Sequence, residues 1–293
     1  MTLHELAVLA LKLSVVAIVF SLGLRTTARD VVFLFGKPSL LLRSILAMNI
    51  VMLIFAVIVV VVFPMALPVK IALVALSLSP VPPILPGKQT KAGGSATYTM
   101  SLLVVASLVS IVLIPLALAI VGQILGTQYS VSISKLIIIV MISVVAPLIL
   151  GLIVRHFLPT IAEKAAGPIG LFAMILLVLS ALPIAYTTGI VLWHLVGDGV
   201  VIFLLLFSLL GLVVGHFLGG PDEDDRTVLA LATAARHPAV ALAIATVNYP
   251  EEKATLAVLL WHLVFAIVVS IPYVRWRKGL HRTVVEGADQ GHR

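Results

Sequence analysis

Three adjacent residues in the run "LALATAARHPAVALAIATV" (229–247) have side chains that could do chemistry, and everything around them is apolar: Arg236, His237 and Pro238. A guanidinium is a permanent cation whose planar fork suits a carboxylate, sulfonate or phosphate. An imidazole, with an unperturbed pKa of about 6.5, can donate to a ligand or take up a proton. Proline lacks a backbone donor and interrupts a helix, at about 3 kcal/mol in its interior. A second stretch, "SLSPVPPILPGK" (77–88), crowds Pro80, Pro82, Pro83 and Pro86 behind Ser77 and Ser79. Its prolines predict a second interruption, and its hydroxyls suit either the freed carbonyls or a ligand.

The remaining polar candidates are scattered. Thr233 lies about one turn before Arg236 on the same helix face. Asn49, in "LAMNIVML", is a lone amide that suits helix–helix bonding at least as well as a ligand. His262, in "LLWHLVF", reads more readily as a packed histidine, and His237 reads equally as a ligand or proton group and as a core histidine. Lys12 sits within the first apolar stretch, where snorkelling to the outer surface is the default. Ser95, Thr97, Tyr98 and Ser101 read as capping and helix-contact residues. No metal-ligand spacing, catalytic triad, phosphate loop or nucleotide motif is present, which excludes ATP-driven transport by this chain alone. The absence of cysteine excludes disulfides, iron–sulfur centres and thiol chemistry.

The elements that must position these residues belong in a membrane. Hydrophobic residues make up 61% of the 293 and charged residues 11%, with a mean hydropathy of +1.24. Soluble domains carry about 25% charged residues. The sequence predicts an all-α polytopic fold of about nine spans: 4–24, 39–64, 67–88, 95–122, 131–156, 166–187, 197–218, 226–248 and 252–274. The first is too long for a signal-peptide core and is expected to be retained. The third and eighth spans hold the two interruptions. They lie an odd number of spans apart and so run in opposite directions, which fits an inverted repeat in which spans 1–4 match 6–9. The expected organisation is a first repeat at 1–123, a second at 124–275 and a tail at 276–293.

Charge sets the orientation. With the N-terminus outside, Arg25, Arg29, Lys37, Arg43, Lys88, Lys91, Arg155, Lys164, Arg226 and the basic tail 275–293 are cytoplasmic, against Lys70, Lys135 and Lys253 outside. The net charge of +7 is thus an orientation signal, and no nucleic-acid partner is expected. The acidic "PDEDDR" (221–226) reads as a cytoplasmic loop that also caps the eighth span.

Interrupted backbone at membrane depth is tolerated only where it is buried in protein or lines a cavity, and paired interruptions mark transporter sites. Pro238 is expected to open one half-helix, and Pro82 or Pro83 the other. Both half-helix N-termini, with about half a positive charge each, would then face the midplane beside Arg236. A central arginine costs about 2.5–3.5 kcal/mol on insertion scales, and no Asp or Glu lies at matching depth to offset it. An anionic substrate, or water and carbonyls, must do so.

Four segments, "FSLGLRTTARDVVFLFGKPSLLLRSI", "APLILGLIVRHF", "RTVLALATAARHPAVALAIA" and "WHLVFAIVVS", in this order, resemble the bile acid:sodium symporter family, which includes pantoate-type bacterial transporters. The resemblance covers most of the chain. It implies ten spans in two inverted repeats, a core domain crossed by two broken helices, and a panel domain; the family's first span has no counterpart here. The family's sodium-ligating Glu and Gln fall on Ala232 and Arg236. The resemblance therefore implies no sodium at the usual positions, with the Arg236 guanidinium a candidate replacement for the bound cation, and no other cofactor. The expected function is secondary transport of a small organic anion by alternating access, not enzymatic. An anion channel or passive facilitator, or a non-transporting membrane receptor, fits the same residues. The expected binding set is Arg236, His237, Pro238, Thr233, Ser77, Ser79, Pro82, Pro83, Asn49 and His262, in a multi-pass protein of the cell (inner) membrane.

Overall fold

The computed structural model describes residues 3–126, 129–196 and 199–290. Arg293 of the basic tail and Gly197, the expected start of the seventh span, lie outside them. The regular elements of the described residues are all helices, with no strand. In chain order the helices are α1 (Leu3–Gly23), α2 (Ala28–Val32), α3 (Pro38–Ile45), α4 (Met52–Val62), α5 (Leu67–Leu78), α6 (Pro86–Lys91), α7 (Ala96–Leu125), α8 (Ile133–Val140), α9 (Ala146–Phe157), α10 (Pro159–Leu195), α11 (Val200–Leu218), α12 (Glu223–Ala234), α13 (Pro238–Asn248) and α14 (Ala254–Gln290). A π turn at Leu46–Val51 joins α3 to α4, and another at Met141–Val145 joins α8 to α9, so each pair is one continuous rod.

Eight helical stretches among the described residues are long and apolar enough to cross a membrane. The expected third span is not among them. Its prolines leave only Leu67–Leu78 as a shorter apolar helix, and residues 79–85 are not helical. A single proline need not have this effect: Pro115, Pro168, Pro183 and Pro272 sit inside helices that continue past them. The position of the restart differs from expectation. Pro86, not Pro82 or Pro83, is the first residue of α6. The resulting helix has six residues, so only α13, opened by Pro238, is a half-helix with a full N-terminal turn.

Two large apolar clusters, with a small third at Leu24, Ala162 and Ala166, form the interior. One joins Val69–Leu78 of α5 to Val240, Ala241, Ile244 and Ala245 of α13. The other joins Val81, Leu85 and Ala92 to Val228–Ala235 of α12. The second cluster includes Val81, Leu85 and Ala235 of the interruptions themselves. Gly211 and Gly215 of α11 hold α12 in place by letting the two backbones meet. A Cβ on Gly211 would lie 2.6 Å from the Thr233 carbonyl oxygen and 2.7 Å from the Ala234 Cα. Small residues allow this approach inside membranes. Gly211→Ala is therefore expected to push α12 away at a cost of about 1–2 kcal/mol, read as a lower unfolding temperature of the purified protein.

The link between α1 and α3 is fixed by a capping box in which Thr27 and Asp30 exchange bonds through their backbone amides and side chains. Thr97 Oγ1 also donates to Asp30 at 2.7 Å. Burial alone would raise the Asp30 pKa, but the bonds from Thr27 and Thr97 and the Arg155 charge outweigh it and hold the carboxyl below its ordinary value.

Candidate functional site

The two interruptions bond to each other. After α12 ends at Ala234, Ala235 and His237 adopt extended backbone, and the His237 amide donates to the Pro80 carbonyl at 2.9 Å. A break in one helix thus satisfies a group freed by the break in the other. Arg236 completes the junction. Its side chain is fully buried. Nη1 donates to the Ser79 carbonyl at 3.2 Å, and Nη2 donates to the Met48 carbonyl, at the π turn. Nε has no partner. One guanidinium therefore ties together three segments: both interruptions and the rod formed by α3 and α4.

A cavity of about 430 Å³ meets this junction. Pro82, Pro83, His237 and Pro238 line it from the junction, Lys12 from α1, Ser143 from the π turn before α9, and Trp261 from α14. Ile138, Ile142, Leu177, Ile184 and Val264 make most of the wall apolar. No acidic side chain lines it. His237 is 5% exposed; its Nε2 lies 3.4 Å from the Ser143 hydroxyl, and its Nδ1 has no partner. The first turn of α13 contributes Pro238 and Ala239 to the wall, so the free N–H groups of that turn lie at the cavity's edge.

The expected binding residues divide into three groups. His237, Pro238, Pro82 and Pro83 line the cavity. Arg236 lies behind it, with both terminal nitrogens engaged by carbonyls, and is not part of the lining. Ser77, Ser79 and Thr233 are fully buried and donate to carbonyls of their own helices, Val74, Leu76 and Leu229. Asn49 sits in the π turn next to Met48. His262 is fully buried, has no partner at either ring nitrogen, and packs edge-on against Phe207 at 5.2 Å. Neither Asn49 nor His262 reaches the cavity. Three residues outside the expected binding set do: Lys12, expected to snorkel to the outer surface, Trp261 and Ser143. The signal for Lys12 was present, a lone cation among apolar neighbours, but sequence does not show which way it faces.

A second cavity, of about 310 Å³, opens at the other end of α5 and α13, lined by Lys70, Tyr129, Asn248 and Tyr249 among apolar residues. Asn248 accepts from the Ser130 amide at 2.7 Å and donates to the Ser130 carbonyl at 2.8 Å.

At the far end of α12 the acidic turn does not cap as expected. Asp222 makes no side-chain capping bond, and Glu223 instead pairs with Arg277 of α14.

Comparison with known proteins gives no match among curated sequences. The sequence profile of the Sodium Bile acid symporter family, by contrast, matches residues 12–195, from α1 through the first interruption to the end of α10, and stops short of the second interruption at 235–237. With well over half its length matched and many apolar spans, this chain is a multi-pass membrane protein that belongs to the sodium bile acid symporter family of transporters.

Proposed function

We propose that the chain is a secondary transporter that moves a small organic anion with an apolar body by alternating access, without sodium at the family's usual positions. The observation that carries this reading is the cavity at the junction. It is large enough for a small molecule, mostly apolar, free of carboxylates, and edged by the N-terminal turn of α13 and the His237 side chain. An anionic group suits that edge, and the apolar remainder suits the wall. Arg236 acts from behind: it holds the crossing together and adds positive potential through a short stretch of protein. The interruptions lie near the membrane midplane, α1, α9 and α10 rock against the crossing, and the repeat is inverted. The N-terminus faces outward and the C-terminus the cytoplasm, as the basic loops favour, in the cell (inner) membrane.

The test is counterflow in proteoliposomes with a panel of organic anions, with and without sodium and a pH gradient. The expected result is saturable exchange of at least one amphipathic anion, unchanged when choline replaces sodium. Conductance far above carrier turnover would instead mark a channel, and binding without flux a receptor.

A further inference from the structure

We propose that Lys12 is the substrate's counter-charge: it lines the same cavity as the His237–Pro238 edge and, with that edge, its ammonium binds the anionic group. This rests on the transporter reading above and deepens it.

Lys12 is the one lysine or arginine in the wall of the junction cavity, and no acid accompanies it there. Among the described residues it forms neither an ion pair nor a hydrogen bond. A lysine in the middle of a span costs about 2.5–3.5 kcal/mol, and such residues pair or face a water-filled space. Lys12, an exposed residue of α1, borders such a space and has no protein partner. It shares that space with the His237 imidazole and with the first turn of an 11-residue helix. Three groups that favour a negative charge therefore border one cavity, and nothing in its wall neutralises them.

The roles of the two cations consequently separate. Arg236 spends its donors on the Ser79 and Met48 carbonyls, whereas Lys12 keeps its donors for the ligand. A lysine suits this task because it is a point charge on a flexible stem, tolerant of carboxylate or sulfonate in several orientations. Leu11, Val15 and Val16, beside it on α1, complete an apolar wall around the charge, so selectivity for an anion over its neutral isostere depends on this one side chain.

Adamantane-1-carboxylate and adamantane-1-carboxamide are compact probes of nearly the same shape that differ in charge. Stabilisation of the purified full chain by each is read from the unfolding temperature by tryptophan fluorescence, across a concentration series. Wild type is expected to prefer the carboxylate by about tenfold, as a charge-assisted bond implies. Lys12→Gln is expected to bind both about equally, and Lys12→Arg to keep the preference. Unfolding temperatures without ligand report whether the variants fold, and Lys12, having no protein partner, is expected to be dispensable for that. If Lys12→Gln keeps the full preference, the assignment of Lys12 falls while the anion reading stands. If wild type shows no preference, the anion reading falls and the assignment with it.

Discussion

Replacing Arg236 by alanine is expected to lower the stability of the fold by about 3 kcal/mol and to abolish anion flux. Two effects oppose each other. Removing a buried cation with no counter-charge relieves its desolvation penalty. It also leaves the Ser79 and Met48 carbonyls without the donor they have now, and each unsatisfied buried group costs about 1–3 kcal/mol. A void the size of an arginine side chain adds to the loss. The carbonyl and void terms win, because hydrogen bonds to the guanidinium are what hold the π turn against the first interruption. The expected drop in unfolding temperature is roughly 10 °C. Flux is lost because the His237 amide remains bonded to Pro80 while the third segment, at Met48, is released. A variant with wild-type unfolding temperature and wild-type counterflow would remove Arg236 from any central role.

The same variant tests sodium. Wild type is expected to show no sodium-dependent stabilisation, since a fixed guanidinium repels a second cation. In Arg236→Ala two carbonyl oxygens face a vacant position, and hard cations take oxygen ligands. Sodium, but not choline, is then expected to raise the variant's unfolding temperature; at a concentration one hundred times the dissociation constant the gain would be about 2.7 kcal/mol. Equal sodium effects on both proteins would contradict the view that Arg236 stands in for a bound ion.

How much of this was legible beforehand differs from element to element. The interruptions were, from the crowding of four prolines at 80–86 and from the cation and imidazole set beside Pro238, since prolines alone sit inside continuous helices elsewhere. Pro238 falls at the first residue of α13 as the sequence predicted. The restart at Pro86 was not, because four prolines compete and only the conformation of the whole cluster decides among them. Arg236 was legible as an oddity, but its partners were not: Met48 lies 188 residues away, and its carbonyl becomes available only because the helix there opens into a π turn. Gly211 and Gly215 looked like ordinary glycines of an apolar helix until α12 was seen against them. Lys12 shows the limit most clearly. Its depth along α1 could be counted from the sequence, but its face could not. An almost uniformly apolar helix carries no amphipathic stripe to mark inside from outside.

The far end of α12 offers a contrast between two partners in one contact. Arg277 of α14 is nearly buried, 4% exposed. Its side chain donates to the Glu223 carboxylate, to the Glu223 carbonyl at 2.8 Å and to the Thr227 hydroxyl at 2.8 Å, and it lies over the Trp276 ring at 5.4 Å. The Glu223 side chain is 57% exposed. Glu223→Gln should therefore cost less than roughly 1 kcal/mol, because the exposed carboxylate contributes little through the pair and Arg277 keeps its other two acceptors. Arg277→Met is expected to cost about 2–3 kcal/mol, because the bonds to the first turn of α12 are lost together and the cation no longer covers the indole. The loss would not be larger, since Thr227 still donates to the Glu223 carbonyl at 3.1 Å. α12 runs directly into the second interruption, so loosening its start in Arg277→Met should also slow counterflow, whereas Glu223→Gln leaves it near wild type. Thermal unfolding and counterflow on the two variants read both effects. Equal losses for the two would mean that the ion pair, not the bonds of Arg277 to the helix end, secures α12.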